Sequence, residues 1–282
     1  MMNNNAAGSR VLPGVFFATL LAVFGLAACG SGGGGSTTTN NTNTPSAGGI
    51  VLSLVPARTS GVAPLAVFFD ASATTDIGVT DRPFHDLEYT WSFGDPSSGT
   101  WASGAQPGVS SKNSATGPVV AHVFETPGTY TVTLTAFDGA NTATTTTNIT
   151  VQDPDVVFAG TNTICVGATA LPTAGTGGCP AGAIAISTNN FAASINTYQA
   201  TNKRILFQRG DTFSVPTSAA ITSTGPGILG AFGTGAKPYI SIPVIGAWAT
   251  AIKFFAGDWR VMDLALDATG SVDCPARRFR NN

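Results

Sequence analysis

Apolar and polar residues alternate along three runs of the chain, 87–93, 129–136 and 143–151. A period of two predicts strands with one buried and one solvated face. Gly, Pro, Asn and Asp residues separate the runs, which together predict an antiparallel β-sandwich of about 100 residues. The residues that share the predicted faces are Leu87, Tyr89, Trp91, Phe93, Tyr130, Val132, Leu134, Ala136, Ala143, Thr145, Thr147, Ile149 and Val151.

The pattern changes after the linker at Asp153-Pro154-Asp155. Short apolar runs now recur roughly every 10–20 residues with glycine turns between them, which predicts the coils of a solenoid with short parallel strands. One segment, 190–201, has helical spacing instead, with Phe191, Ile195 and Tyr198 on one side. The predicted strands are 204–207, 227–232, 237–242, 251–255 and 259–266.

The N-terminus has the features of an export signal. Arg10 precedes a short apolar run, and small residues follow it. A transmembrane helix is the alternative, but it needs about 20 apolar residues, whereas this run is shorter and contains Pro13 and Gly14. The pattern therefore favours a signal peptide.

The residues LAAC at 26–29 resemble the lipobox of bacterial lipoproteins. The resemblance implies that Cys29 receives a diacylglycerol anchor and becomes the first residue of the mature chain; a plain secretory peptide with a chance cysteine is the alternative. Gly30 after the cysteine resembles the outer-membrane sorting signal. Residues 30–48 are Gly, Ser, Thr and Asn, a flexible tether of roughly 25 Å.

Composition limits the classes of function. The 282 residues include 13 basic and 15 acidic side chains, a net charge of −2, and only 10% are charged, where about 25% is usual. This balance excludes a basic nucleic-acid surface. A hydrophobic content of 43% is sufficient for packed cores.

Three blocks of the first module resemble the PKD domain family: APLAVFFDAS at 63–72, YTWSFGD at 89–95 and HVFETPGTYTV at 122–132. The resemblance implies an immunoglobulin-like sandwich of the kind used as a spacer, adhesion module or polysaccharide-binding module. The chain departs from the family at Pro96, where glycine is usual, and in the long insert 97–117.

The second module is similar to the opening coils of right-handed parallel β-helix proteins of the pectate-lyase-like fold. The similarity lies in ILFQRGDTF at 205–213, GAFGTGAKPYI at 230–240 and DWRVMDL at 258–264. The predicted helix would then be the N-terminal cap. The fold class is therefore all-β: an immunoglobulin-like sandwich followed by an incomplete right-handed parallel β-helix.

Trp101 in the polar insert is the one candidate for ligand stacking, because an exposed aromatic ring can pack on a sugar; a loop residue folded back on the sandwich is the alternative. Trp91 is assigned to the core. His122 matches the structural histidine of the PKD family. The carboxylates that could gather as a calcium site, without a fixed loop spacing, are Asp70, Asp76, Asp95 and Asp138. No metal site or cofactor is predicted.

Cys165 and Cys179 bracket a Gly/Thr/Pro loop. Once Cys29 is lipidated, these two are the natural disulfide pair in an oxidising envelope; a free dithiol or a metal pair is the alternative. Cys274 is left over.

No catalytic residues are predicted. Asp263 and Asp267 on one strand would lie roughly 13 Å apart, too far for a glycosidase pair. In the enzymes that the second module resembles, catalytic groups lie on central coils. The basic, pattern-free end at 274–280 suggests a truncated or frame-shifted product; a genuine short tail is the alternative.

These features predict four regions: a lipoprotein signal peptide (1–29), a tether (30–48), a PKD-like sandwich (49–152) and the first coils of a β-helix (153–282). The predicted function is a non-catalytic glycan-binding, adhesion or display lipoprotein of the cell envelope, on the outer membrane and facing the periplasm or cell surface. Its partners are the membrane and a polysaccharide. The alternative is the N-terminal part of a polysaccharide lyase or glycoside hydrolase.

Overall fold

The computed structural model describes residues 49–79, 82–102, 110–242 and 250–267. The predicted signal peptide, Cys29, the tether and Cys274 lie outside the described residues. No helix within the described ranges is both long enough and apolar enough to cross a lipid bilayer.

The first module is built from short strands in residues 50–152. Helix α1 covers Pro83–Asp86 and a 3-10 turn covers Pro96–Ser98. The strands are β1 Ile50–Val51, β2 Val55–Pro56, β3 Ser60–Val62, β4 Leu65–Asp70, β5 Thr75–Asp76, β6 Glu88–Ser92, β7 Ser114–Thr116, β8 Val119–Phe124, β9 Gly128–Phe137 and β10 Thr142–Gln152.

These strands form a five-stranded sheet in the order β3-β10-β9-β6-β7 and a three-stranded sheet in the order β2-β4-β8, with β1 paired to β5. The pairings are antiparallel except that β3 lies parallel to β10. The predicted all-β sandwich is confirmed, and the parallel edge strand is a difference from the predicted antiparallel arrangement.

The core of this module lies between the two larger sheets. Alternate residues of β4, β6 and β9 are buried while their neighbours are exposed or half-buried. Phe69 contacts the rings of Trp91 and Phe93, with centroids 5.7 and 5.8 Å apart. Trp91 is buried, as its place in the alternation predicts, and its Nε1–H donates to the Gly117 carbonyl at 2.8 Å.

The second module contains helix α2 (Pro154–Val157), a 3-10 turn (Gly160–Asn162) and helix α3 (Phe191–Tyr198). Every strand pair described within it is parallel. The strands are β11 Thr163–Gly167, β12 Ile184–Ser187, β13 Lys203–Gln208, β14 Thr212–Ser214, β15 Ala219–Ile221, β16 Gly227–Phe232, β17 Tyr239–Ser241, β18 Ile252–Phe254, β19 Trp259–Val261 and β20 Ala265–Asp267.

From β13 onward the chain visits three sheets in a constant order. β13, β16 and β19 lie side by side in one sheet, β14, β17 and β20 in a second, and β15 and β18 in a third. Ile205, Phe213 and Ile221, one from each sheet, belong to one buried cluster. Successive turns of chain therefore stack on one another around a shared apolar core.

Helix α3 packs on this core with Phe191 and Ile195 buried. Asn190 caps its N-terminus, because its Oδ1 accepts from the Ala193 N–H at 3.0 Å. The helix ends at Tyr198, before the predicted end at 201, since Gln199 already has extended backbone angles.

The predicted single strand 259–266 is wrong. Asp263 adopts φ +60°, which breaks the run into β19 and β20 in different sheets. Asp263 pairs with Arg209, and Asp267 accepts a hydrogen bond from the Tyr239 hydroxyl. Leu266 in β20 is 48% exposed.

The two modules contact each other directly. Val62 of the sandwich packs with Phe158 and Ile228 of the second module in a buried cluster. Beside it the Arg260 Nε–H donates to the Pro64 carbonyl at 2.7 Å. Burial lowers the pKa of Arg260.

Candidate functional site

Trp101 is held by a short pair of backbone segments in the insert between β6 and β7. Its N–H donates to the Ser110 carbonyl at 3.0 Å, and the Lys112 N–H donates to the Gly99 carbonyl at 3.0 Å. Gly99 has φ +75°, a conformation that glycine adopts without a Cβ clash. These two hydrogen bonds tie residues 99–101 to residues 110–112.

Asp95 and Asn113 close the base of the insert. The Asn113 side chain accepts from the Asp95 N–H at 2.7 Å, and its backbone carbonyl accepts from the Phe93 N–H at 2.9 Å. Asp95 Oδ1 accepts from the Ser97 hydroxyl at 2.8 Å. These contacts join the two ends of the insert to the end of β6.

His122 and Asp95 form a buried pair beneath the insert. His122 Nε2 lies 3.0 Å from Asp95 Oδ2, and both side chains are more than nine-tenths buried. The imidazole stacks on Phe93 at 4.3 Å and meets Phe124 edge-on at 4.6 Å. This packing agrees with the structural role expected for His122.

A groove of about 420 Å³ lies above this pair, between the insert and the outer face of β4 and β8. We call it the Trp101 groove. Trp101 is 55% exposed and Phe68 is 62% exposed. The Lys112 ammonium lies 5.6 Å from the centroid of the Trp101 ring. Its principal lining side chains are Phe68, Ser97, Trp101, Lys112, Val123 and Glu125.

The groove combines aromatic faces with polar groups at its margin. Aromatic rings stack on the C–H faces of sugars, and hydroxyl, ammonium and carboxylate groups bond the sugar hydroxyls. Glu125 is the one carboxylate at the margin of the groove. The Asp95 carboxylate lies beneath the groove and is already paired with His122. This arrangement suits recognition of a ligand.

The four aspartates considered for calcium are not brought together. Three of them bond within their own turns, since Asp70 accepts from the Ser72 N–H at 2.8 Å and Asp76 from the Gly78 N–H at 3.2 Å. Asp95 is instead paired with His122. Asp138 accepts from Asn141, and this hydrogen bond lowers its pKa. Within the described ranges no three His, Cys, Asp or Glu side chains are grouped as metal ligands.

The predicted disulfide is present. Cys165 and Cys179 are bonded with their Cα atoms 6.0 Å apart. Both residues are buried with Leu206 and Phe232 in a small apolar cluster. The bond fixes the Gly-rich loop against β13 and β16.

Sequence reasoning found Trp101 but missed Phe68 and Lys112. The sequence contains a signal for Phe68: in LAVFFD at 65–70 it is a large aromatic residue in the exposed phase of an alternating strand. For Lys112 no comparable signal exists, because its position over Trp101 depends on pairing within the insert.

Residues 51–151 match the model of the PKD domain family, and this segment is a PKD domain. A solved structure described as carbohydrate-binding modules from the beta-sandwich super family is 22% identical over 37% of this chain, with a TM-score of 0.28. The chain spans about a third (35%) of that structure's length.

The PKD domain of the human VPS10 domain-containing receptor SorCS2 is 17% identical over 46% of this chain and 97% of its own, with a TM-score of 0.25. No protein of curated function matches the chain. A PKD domain and a disulfide together indicate an exported protein.

Proposed function

We propose that this protein is a non-catalytic glycan-binding protein of the cell envelope, and that the Trp101 groove of its PKD domain holds the sugar. The observation that carries the proposal is the exposed Trp101 ring, held by paired backbone segments on the same groove as the exposed Phe68. A backbone that is already hydrogen-bonded on both sides of the ring reduces the ordering cost of binding. A volume of about 420 Å³ is within the range of small-ligand sites.

Attachment to the membrane is the second part of the proposal. The residues LAAC at 26–29 support lipidation of Cys29, and the polar segment 30–48 would hold the folded modules roughly 25 Å from the lipid surface. Gly30 supports placement on the outer membrane. In that position the groove is presented to polysaccharide outside the cytoplasm.

We also propose that residues 153–282 are the opening coils of a right-handed parallel β-helix that follows the PKD module at 49–152. All-parallel pairing and the constant order of three sheets support this assignment. Helix α3 would be the N-terminal cap, since it covers the apolar core beside β13 and β15.

A glycan array probed with the full-length protein tests the function. The wild-type protein should be retained on at least one polysaccharide. Trp101→Ala should lower that affinity roughly 30-fold, since losing an aromatic anchor costs about 2 kcal/mol. Phe255→Ala is the matched control, because Phe255 is 71% exposed but lies outside the groove.

Equal retention of the wild-type and Trp101→Ala proteins, or no retention on any polysaccharide, would contradict the proposal. New reducing ends or unsaturated products in the same wells would instead identify the chain as part of a polysaccharide-degrading enzyme.

A further inference from the structure

Arg204 in β13 places its positively charged guanidinium at the side of the second module. It is far in sequence from the residues of the Trp101 groove. The residue is 8% exposed. Its Nε–H donates to Thr163 Oγ1 at 3.0 Å and its Nη1 to Asp155 Oδ1 at 2.7 Å. Its guanidinium carbon lies 5.8 Å from the centroid of Phe158. Three neighbours therefore fix the plane of the guanidinium.

These contacts use only some of the hydrogen-bond donors of the Arg204 side chain. A guanidinium carries five N–H donors, and Nη2 has no acceptor among the described residues. Arg204 lines two adjoining cavities of about 540 and 380 Å³. Because the two cavities share Asp155, Gly178, Pro180 and Arg204, we treat them as one cleft and call it the Arg204 cleft.

The disulfide-bonded loop forms one wall of this cleft. Gly177 and Gly178 both have positive φ, at +56° and +85°. Their N–H groups have no backbone acceptor within the part of the chain that the structure describes. The Cys165–Cys179 bond anchors the loop. Both glycines line the same cleft as the guanidinium, and backbone N–H groups at positive-φ turns together with a guanidinium are suited to an anion.

The surrounding charges select the kind of anion. Asp155 is 78% exposed and partly offsets the charge of Arg204. Asp263, at the far side of the cleft, is paired with Arg209 at 2.6 Å and Lys237 at 3.6 Å. One guanidinium beside a carboxylate suits a planar monoanion better than a phosphate dianion, which Asp155 would repel.

We propose that the Arg204 cleft is a second ligand site that binds the carboxylate of an acidic sugar, with Nη2 and the remaining Nη1 donor bonding its two oxygens. The specificity for a carboxylate follows from the cleft itself. The identification of the molecule that carries this carboxylate as a sugar rests on the proposed function. The site is separate from the Trp101 groove, so the two can be removed independently.

Calorimetric or NMR titration of the full-length protein tests this with glucuronate and glucose, which differ in the C6 carboxylate. Glucuronate should bind and glucose should not. Acetate, the free carboxylate, should bind more weakly than glucuronate, and inorganic phosphate more weakly still. The amide signals of Gly177 and Gly178 should shift with glucuronate.

Variants separate this site from the Trp101 groove. Arg204→Gln should weaken glucuronate binding at least tenfold, and Arg204→Lys should weaken it about threefold because the planar fork is lost. Asp155→Asn should strengthen it about threefold by removing a competing negative charge. Trp101→Ala should leave it unchanged.

Equal binding of glucose and glucuronate, tighter binding of phosphate, or unchanged affinity in Asp155→Asn would overturn the proposal. If Arg204→Gln does not fold, Arg204→Lys and Asp155→Asn decide the outcome. Loss of glucuronate binding in Trp101→Ala would assign the anion to the Trp101 groove. If the glycan array shows no sugar binding at the Trp101 groove, carboxylate binding at the Arg204 cleft would still be established by the titration.

Discussion

At the scale of single residues, Asp95 connects the core of the PKD domain to the insert that carries Trp101. One carboxylate oxygen contacts the buried His122 and the other accepts from Ser97. The Asp95 N–H is held by Asn113 at the other end of the insert. The position of Trp101 therefore depends on a residue whose side chain is nearly fully buried.

Replacing Asp95 with Ala should lower the free energy of unfolding by about 2–3 kcal/mol, because His122 would lose its buried partner. Urea denaturation followed by tryptophan fluorescence measures this. Asp70→Ala, at the exposed end of β4, is the control and should cost less than about 1 kcal/mol. Equal losses of unfolding free energy in the two variants would show that the buried Asp95–His122 pair contributes no more to stability than an exposed aspartate.

Asp138 should make the stability of the fold depend on pH. Its hydrogen bond with Asn141 and bonds from backbone amides lower its pKa below the ordinary value. A lowered folded-state pKa stabilises the fold above the ordinary pKa, and this contribution is lost as pH falls through the folded-state value. Asp138→Ala should therefore be less stable than wild type at pH 7, with the difference shrinking below about pH 4.

Denaturation midpoints of wild type and Asp138→Ala, measured from pH 7 to pH 3, provide the check. Asp138→Asn keeps an acceptor but carries no charge, so its own midpoint should lack the acid-dependent loss from this site. A stability difference that is constant with pH would refute the prediction.

At the scale of elements, the pattern of apolar and polar residues predicts the features of a strand or helix that depend on residues close in sequence. The alternation in 87–93 and 129–136 predicts the buried faces, because a period of two places every second side chain on one side. Asn190 caps the helix expected after it. The division between β19 and β20 was not predicted, since a non-glycine residue, Asp263, adopts positive φ there.

The sites were less predictable than the strands. Trp101 can be singled out as an aromatic residue in a polar insert, but its groove requires Phe68 from a strand about 30 residues earlier. Arg204 has an ordinary place in an apolar strand, and its partner Asp155 is 49 residues away. Such sites depend on long-range pairing, which one sequence does not reveal.

The disulfide supplies a prediction for the loop element. The double variant Cys165→Ser, Cys179→Ser should lose about 3 kcal/mol of stability, because the bond closes a loop with a sequence separation of 14. Thermal or urea denaturation under non-reducing conditions measures this, and the wild type in reducing agent should resemble the variant. A loss below about 1 kcal/mol would argue against a constraining role.

At the scale of the whole molecule, the two modules are joined by an apolar cluster and by polar contacts. Phe158 packs with Val62 and Ile228 in one buried cluster. Next to it, Arg58 pairs with Asp258 at 2.7 Å. These contacts couple the PKD domain to the parallel sheets, so we expect the two modules to unfold together.

Phe158→Ala should uncouple them. Removing a buried aromatic ring costs about 3–5 kcal/mol, and here that loss falls on the contact between modules. Differential scanning calorimetry should show one transition for wild type and two for the variant. Phe255→Ala, at an exposed position, should retain one transition. A single transition in Phe158→Ala would contradict strong coupling through this cluster.

The most direct test of glycan binding at the Trp101 groove is the indole N–H signal of Trp101 in the full-length protein. Titration with an oligosaccharide selected by the array should shift this signal in a saturable way, while the signal of the buried Trp91 stays in place. Saturable binding that leaves the Trp101 signal unmoved would contradict the account.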